Sequence, residues 1–518
     1  MLKQFITDEL PLAFFWLLLG LLCGLIYSVE MVGIEWIQNL LSPDRARSLH
    51  ISLMLYGFFP LFLSLLPFAL FEKEGMLSEK GVAYLRRYFW IWNVFLLFMT
   101  MALLFGNMRG LPFYDFPYPL NFLLAFGGVF YLLALIDALR RYEKRPLWVN
   151  VSLLVVVVAP AMLVLLMNPE YGQVEKSLVG PHGDNTLGMS FALIPLYYLL
   201  IKLAAPGAFI PRWHLLWAIP LIGYVVSLVI RNFFHPLSYG EEWFFQYLTL
   251  LYLPLLWRWW KDSKLTFNRS PYLLLSMGAF AFVDLEGNVL FIPQIRELIH
   301  RNDLVVGHAH IAMGIAVAFM ALSIVHRMVP GVMTKACAVG WATLVSLMAL
   351  SLSAAGMIEA GWLGGSVETF LIGRSLFGAV LIVMVGMIFV RRLGISPKTP
   401  IEWYHWIGVA SDLGGGIVLL VAGEKLFALA GFEFAGGIQY AVFAFMIGTG
   451  LVHWYGTRQH PYMMASLSAL IRLVVAAAFI SLYWAGTIGP IALLVGVYDG
   501  AYALLYGLWL KEKGSHRA

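Results

Sequence analysis

Residues 304–325 read LVVGHAHIAMGIAVAFMALSIV, and the only ionisable side chains in this run are His308 and His310. A helix of about 20 apolar residues crosses the ~30 Å hydrocarbon layer of a bilayer, so the run reads as a spanning helix over 304–328. Imidazoles at i and i+2 point about 200° apart around a helix axis. They cannot bind one metal, but each can face a different one. A spanning helix with a ligand on each of two faces makes the fold a helix bundle in lipid with cofactors between its helices.

The rest of the chain agrees. Its 518 residues are 61% hydrophobic and 12% charged, with a mean hydropathy of +0.81, a balance that excludes a water-soluble domain. Leu12 to Ile26, Leu153 to Leu166, Leu187 to Ile201 and Phe370 to Phe389 are further apolar stretches of spanning or near-spanning length. Apolar runs set against charged breaks predict helices at about 12–32, 48–71, 88–106, 118–139, 148–167, 186–205, 212–233, 243–260, 271–292, 304–328, 336–357, 368–391, 403–430, 436–454, 464–484 and 488–510. The fold class is all-α, a polytopic transmembrane bundle of about sixteen helices.

The first stretch lacks a small-residue cleavage site and Lys3 is offset by Asp8 and Glu9, so it is expected to be a spanning helix rather than a signal peptide. Cys23 and Cys337, both in apolar stretches, argue against a disulfide framework or a thiolate metal cluster. The net charge of +5 is read as an orientation signal, not a nucleic-acid footprint. By the positive-inside rule, Lys73 to Arg87, Arg140 to Arg145, Arg258 to Arg269, Arg391 to Lys398 and the tail Lys511 and Lys513 are expected to put these loops and both termini on the cytoplasmic side. The opposite loops hold Asp44 to Arg47, His182 to Asn185, His235 to Glu242 and Arg296 to Asp303, so polarity gathers at the outer face. No fixed-period repeat or low-complexity tract is present. Pro397 and Pro400 suggest a boundary between residues 1–395 and an additional 396–518 segment.

Ionisable residues inside a bilayer are costly and mark cavities, cofactors or proton paths. His50 lies near the outer end of the second predicted helix, after Arg45 and Arg47. From there it can close the sixth position of a heme held by the tenth helix, giving bis-His low-spin iron suited to electron transfer. A second heme on the same helix then keeps one axial ligand and an open face. Any one histidine near a helix end is more often a packing residue; the trio reverses those odds. Arg45 and Arg47 read either as orientation and cap residues or as partners of heme propionates.

These residues resemble the catalytic subunit of the heme-copper oxidase superfamily, most closely the C-type oxygen reductases and divergent nitric oxide reductases. Arg45-Ala46-Arg47-Ser48-Leu49-His50 is similar to the family's second-helix segment. Leu285-Glu286-Gly287, then His300, then Gly307-His308-Ala309-His310 is similar in order to its Glu-Gly, His and Gly-His-x-His series. The resemblance implies a twelve-helix core with about four extra C-terminal helices. It implies that His308 ligates a high-spin heme, of b type, and that His310 joins His50 on a low-spin heme b, both toward the outer face, with His300 and Glu286 nearby.

The departures fall at the reactive end. Where the family's sixth helix carries a Gly-His-Asn segment, this chain has Gly183-Asp184-Asn185; where its seventh carries a His-His pair, this chain has His235-Pro236. Replacing imidazole by carboxylate moves a non-heme site from copper toward iron. The expected ligands are His235 and Asp184, joined by Glu241, Glu242 or His182. The bland alternatives are that Asp184 caps a helix and that both glutamates form a solvated first turn. The two positions that bear the oxygen reductases' cross-linked tyrosine correspond to Val229 and Gly188; Tyr224 and Tyr239 hold neither.

The resemblance and these departures imply a nitric oxide reductase, with NO as the gas substrate and O2 possible in its place. An oxygen reductase with an altered site, a heme electron carrier and a secondary transporter are the alternatives. Protons are expected through Glu286, or through Glu359 and Glu368; a buried glutamate could instead pair with Arg374 or Arg472. No Cys-x-x-Cys-His occurs, so electrons are expected from a cytochrome c or cupredoxin-type subunit or from quinol.

Overall fold

The structure is a computed structural model that describes residues 1–33, 41–110, 115–165, 183–205, 207, 209–299, 302–392, 399–429, 434, 436–457, 460–486 and 490–515. Its regular elements are all helices, with no strand among the described residues. Lipid imposes this on a single bundle, because a helix satisfies its own backbone groups where there is no water to do so. The chain divides into two compact units, Met1–Arg392 and Leu393–Ala518.

The first unit runs α1 (Leu2–Glu30), α2 (Pro43–Lys73), α3 (Glu79–Leu104), α4 (Tyr118–Leu139), α5 (Leu147–Leu165), α6 (Gly183–Ala204), α7 (Leu215–Phe233), α8 (239–263), α9 (Pro271–Leu290), α10 (Asp303–Met328), α11 (Lys335–Glu359) and α12 (Val367–Arg392). The second runs α13 (400–429), α14 (Gly437–Gly456), α15 (Pro461–Trp484) and α16 (Pro490–Ser515). Ten helices among the described residues are long and apolar enough to cross a membrane. The chain is therefore a polytopic membrane protein.

Starts of helices follow local chemistry. The side chains of Ser78, Ser238, Asn302, Thr334 and Thr399 each accept a backbone N–H from the first turn that follows, and Pro43, Pro271, Pro400 and Pro461 stand where a helix has no N–H to lose. The expected start of α1 near residue 12 is too late: Leu2–Glu30 is one helix with Pro11 inside it, and the Leu2 amide donates to Glu72 on α2 at 2.8 Å. The expected span 243–260 is helical but is divided by a 3-10 turn at Leu248–Leu251. In α10 a π segment, Ala312–Val317, follows directly after the two histidines.

Packing in the first unit relies on small residues, as helix contacts in lipid do. A Cβ on Gly24 of α1 would lie 2.5 Å from His50 Nδ1 of α2, and one on Gly307 of α10 would lie 2.8 Å from Ala349 O of α11. These two close approaches fix the helices that carry the histidines. Aromatic side chains such as Phe14, Phe58, Tyr197 and Trp259 are buried inside, whereas Phe98, Phe126, Leu376 and Val383 are exposed on spanning helices, as lipid-facing positions should be.

Candidate functional site

His50 and His310 meet between α2 and α10. Their ring centroids are 6.4 Å apart and their planes differ by 19°. A metal-bound histidine nitrogen lies about 2 Å from the ion and about 1.1 Å from its own ring centre, so two imidazoles flanking one ion hold their centres about 6.2 Å apart. The observed spacing leaves room for one ion and no more. His50 Nδ1 is 2.9 Å from Gly20 O and His310 Nδ1 is 2.7 Å from Val306 O. A carbonyl only accepts, so both rings carry their proton on Nδ1 and offer Nε2 as the ligand, the arrangement that orients metal-binding histidines. The donor set fits a bis-His heme.

His308 points elsewhere. Its Nδ1 lies 3.2 Å from Glu286 Oε2 on α9, and a Cβ added to Gly287 would stand 3.2 Å from its Cε1. The two histidines of α10 thus face α9 and α2 respectively, as the i, i+2 spacing requires. Glu286 is held by His308, not by Arg374 or Arg472. The Arg374 guanidinium donates to the Ser28 hydroxyl and carbonyl at 2.8 and 3.0 Å, and Arg472 pairs with Asp412 and Asp499.

A buried polar group next to Glu286 on α9 was not among the expected site residues. Asn288 Nδ2 donates to Thr249 Oγ1 at 3.0 Å and to Asp284 O at 2.8 Å, and Gln246 Nε2 donates to Gly287 O at 3.1 Å. Asp284, Asn288, Gln246 and Thr249 are all buried. The signal was available: Asp284 and Asn288 stand four residues apart inside an apolar run, the pattern that marks a polar face in a spanning helix.

At the other expected metal site, His235 Nδ1 is 2.9 Å from Pro236 O and Nε2 is 3.9 Å from Glu241 Oε1. Glu241 closes a capping box at the start of α8, accepting from Ser238 N and Oγ at 2.7 Å each. These donors hold its carboxyl below the usual glutamate range. Glu242 is not part of a solvated turn, since it is 2% exposed. Asp184 stands at the start of α6, but its side chain, His182 and His300 lie outside the described residues. Among the described residues no three His, Cys, Asp or Glu side chains are placed to hold one metal ion.

Of the remaining candidates, Arg45 donates to Leu104 O at 3.2 Å, Arg47 and Glu368 are exposed, and Glu359 accepts the Asp303 amide at 3.0 Å. Tyr239 donates to Phe291 O at 2.6 Å, with Arg296 over its ring. A scan against models of known protein families finds no match, and a search of characterised proteins finds none.

Proposed function

We propose that this chain is a membrane-bound nitric oxide reductase related to the heme-copper oxidase catalytic subunits, reducing NO to nitrous oxide. In this reading α1 to α12 are the family's twelve-helix core, α13 to α16 are additions, and both termini face the cytoplasm of a prokaryotic inner membrane. The observation that carries the reading is the divided pair on α10: His310 meets His50 at the spacing of a bis-His site, while His308 turns to Glu286.

Bound on these side chains, a low-spin heme b would supply one-electron transfer, and a b-type heme with an open face would supply a binding position for a diatomic gas beside a non-heme iron. The chain's own part is positional and protonic. His50 and His310 are fixed by carbonyls, so their ligating nitrogens do not have to reorient between redox states. The Glu286 carboxylate accepts from His308 Nδ1, which sets that ring's tautomer and strengthens it as a ligand. Joining two NO into N2O and water consumes two protons and two electrons, and Glu286 is the carboxyl placed to deliver protons. Asp184, His235 and one of Glu241 or Glu242 would hold a non-heme metal, with oxygen-rich ligation suited to iron over copper. Electrons come from a cytochrome c or cupredoxin-type partner or from quinol.

The test is gas consumption by the purified chain with a chemical reductant. The expected result is one N2O formed per two NO consumed. Rapid O2 uptake with NO untouched would make it an oxygen reductase. One observation favours a second reading, a heme electron carrier: His235 is mostly exposed and Glu241 is engaged in its cap. That reading predicts two hemes, no non-heme iron and no turnover of either gas.

A further inference from the structure

The second unit buries a set of ionisable side chains that the reading above does not use. Arg472 on α15 pairs with Asp412 on α13 and with Asp499 on α16. His453 on α14 lies beside them, its Nε2 3.9 Å from Asp412 Oδ2 and 2.7 Å from Ser468 Oγ. His405 on α13 completes the group, with Nδ1 3.1 Å from His453 Nδ1 and Nε2 2.7 Å from Pro461 O. His405 and His453 are wholly buried, and Asp412 and Arg472 are 3% exposed. Each histidine lies against a glycine of the opposite helix, His453 on Gly408 and His405 on Gly456, so neither ring has room to move.

The proton positions follow from the partners. Pro461 O only accepts, so His405 carries a proton on Nε2. A neutral His405 then accepts at Nδ1 from His453 Nδ1–H, and His453 accepts at Nε2 from the Ser468 hydroxyl. Both rings are neutral in this chain of bonds. The remaining charges do not balance: one guanidinium faces two carboxylates. The tyrosines around Arg472, Tyr498 and Tyr502, face it with their rings; of α13's other carboxylates, Glu402 stands in the first turn of the helix and Glu424 is exposed. An uncompensated negative charge inside a bilayer is among the costliest arrangements a fold can keep.

We propose that the second unit is a proton-binding site that holds one exchangeable proton on the Asp412–Arg472–Asp499 group, beside the neutral pair His453 and His405. Asp412 accepts from Arg472 and, at 3.0 Å, from Ser411, whereas Asp499 accepts from Arg472 alone among the described residues. The proton therefore rests on Asp499. Asp412 lies in a π segment, Val409–Gly414, and such segments recur at functional sites.

Infrared difference spectroscopy of the full chain in lipid nanodiscs tests this, since a protonated buried carboxyl has its own C=O band that shifts in heavy water. The native protein should show such a band at neutral pH that Asp499→Asn removes, and Asp499→Glu should restore it at a displaced frequency. A native spectrum whose carboxyl bands are all unchanged by both Asp499→Asn and Asp412→Asn overturns the assignment.

Discussion

The histidines of α10 carry the account at the scale of the residue. His50→Ala or His310→Ala should convert the low-spin heme signal to high spin or remove that heme, while His308→Ala should leave the low-spin signal and remove the other, as electron paramagnetic resonance would show. Glu286→Gln keeps an acceptor for His308 Nδ1 but cannot carry a proton, so heme content should be native while NO turnover falls by about a hundredfold or more. Gly24→Val would place carbon against His50 Nδ1 and should destabilise the protein by about 1–3 kcal/mol, with a broadened low-spin heme signal as the specific readout. This scale was partly legible in the sequence. The i, i+2 spacing of His308 and His310 settles their divergence by geometry alone, but spacing does not say which of them meets His50; that came only as what the resemblance implies. The pairing depends on the turn of α10 against α2, and the ring contact of His50 with His310 supplies it.

Single elements show why some assignments were open to sequence reasoning and others were not. Apolar length locates most helices, because lipid permits little else. It misjudges ends, as at α1, where Lys3 to Glu9 is helical although polar. It leaves open the role of a carboxylate at a helix start. Glu241 reads as a ligand by proximity to His235, yet its Oε2 is engaged by Ser238. Ser238→Ala should cost about 1 kcal/mol and fray the start of α8, measured by amide exchange. The sign with pH follows from the lowered folded value of Glu241. Its contribution is present in full above the ordinary glutamate range and disappears as pH falls through the folded value, so the protection of the first α8 amides relative to their intrinsic exchange rates should fall only on acidification.

For the whole molecule, composition fixes the medium and the medium restricts the architecture, so a helical membrane bundle was the most legible result. The two units differ in what the chain reveals. In the first, His308 and His310 stand close enough in sequence to signal each other. In the second, His405, Asp412, His453, Arg472 and Asp499 are scattered over four apolar helices, and each alone looks like a lone polar residue with a local partner. Only the packing of α13 to α16 brings them together. The central claim is that one helix, α10, holds two hemes on two faces. Its most direct measurement is heme quantitation with low-temperature magnetic circular dichroism on the full chain and on His310→Ala. The account predicts two b-type hemes per chain, one bis-histidine low-spin and one high-spin, with only the low-spin bands lost in the variant. A chain without heme, or one whose low-spin bands survive His310→Ala, would contradict it.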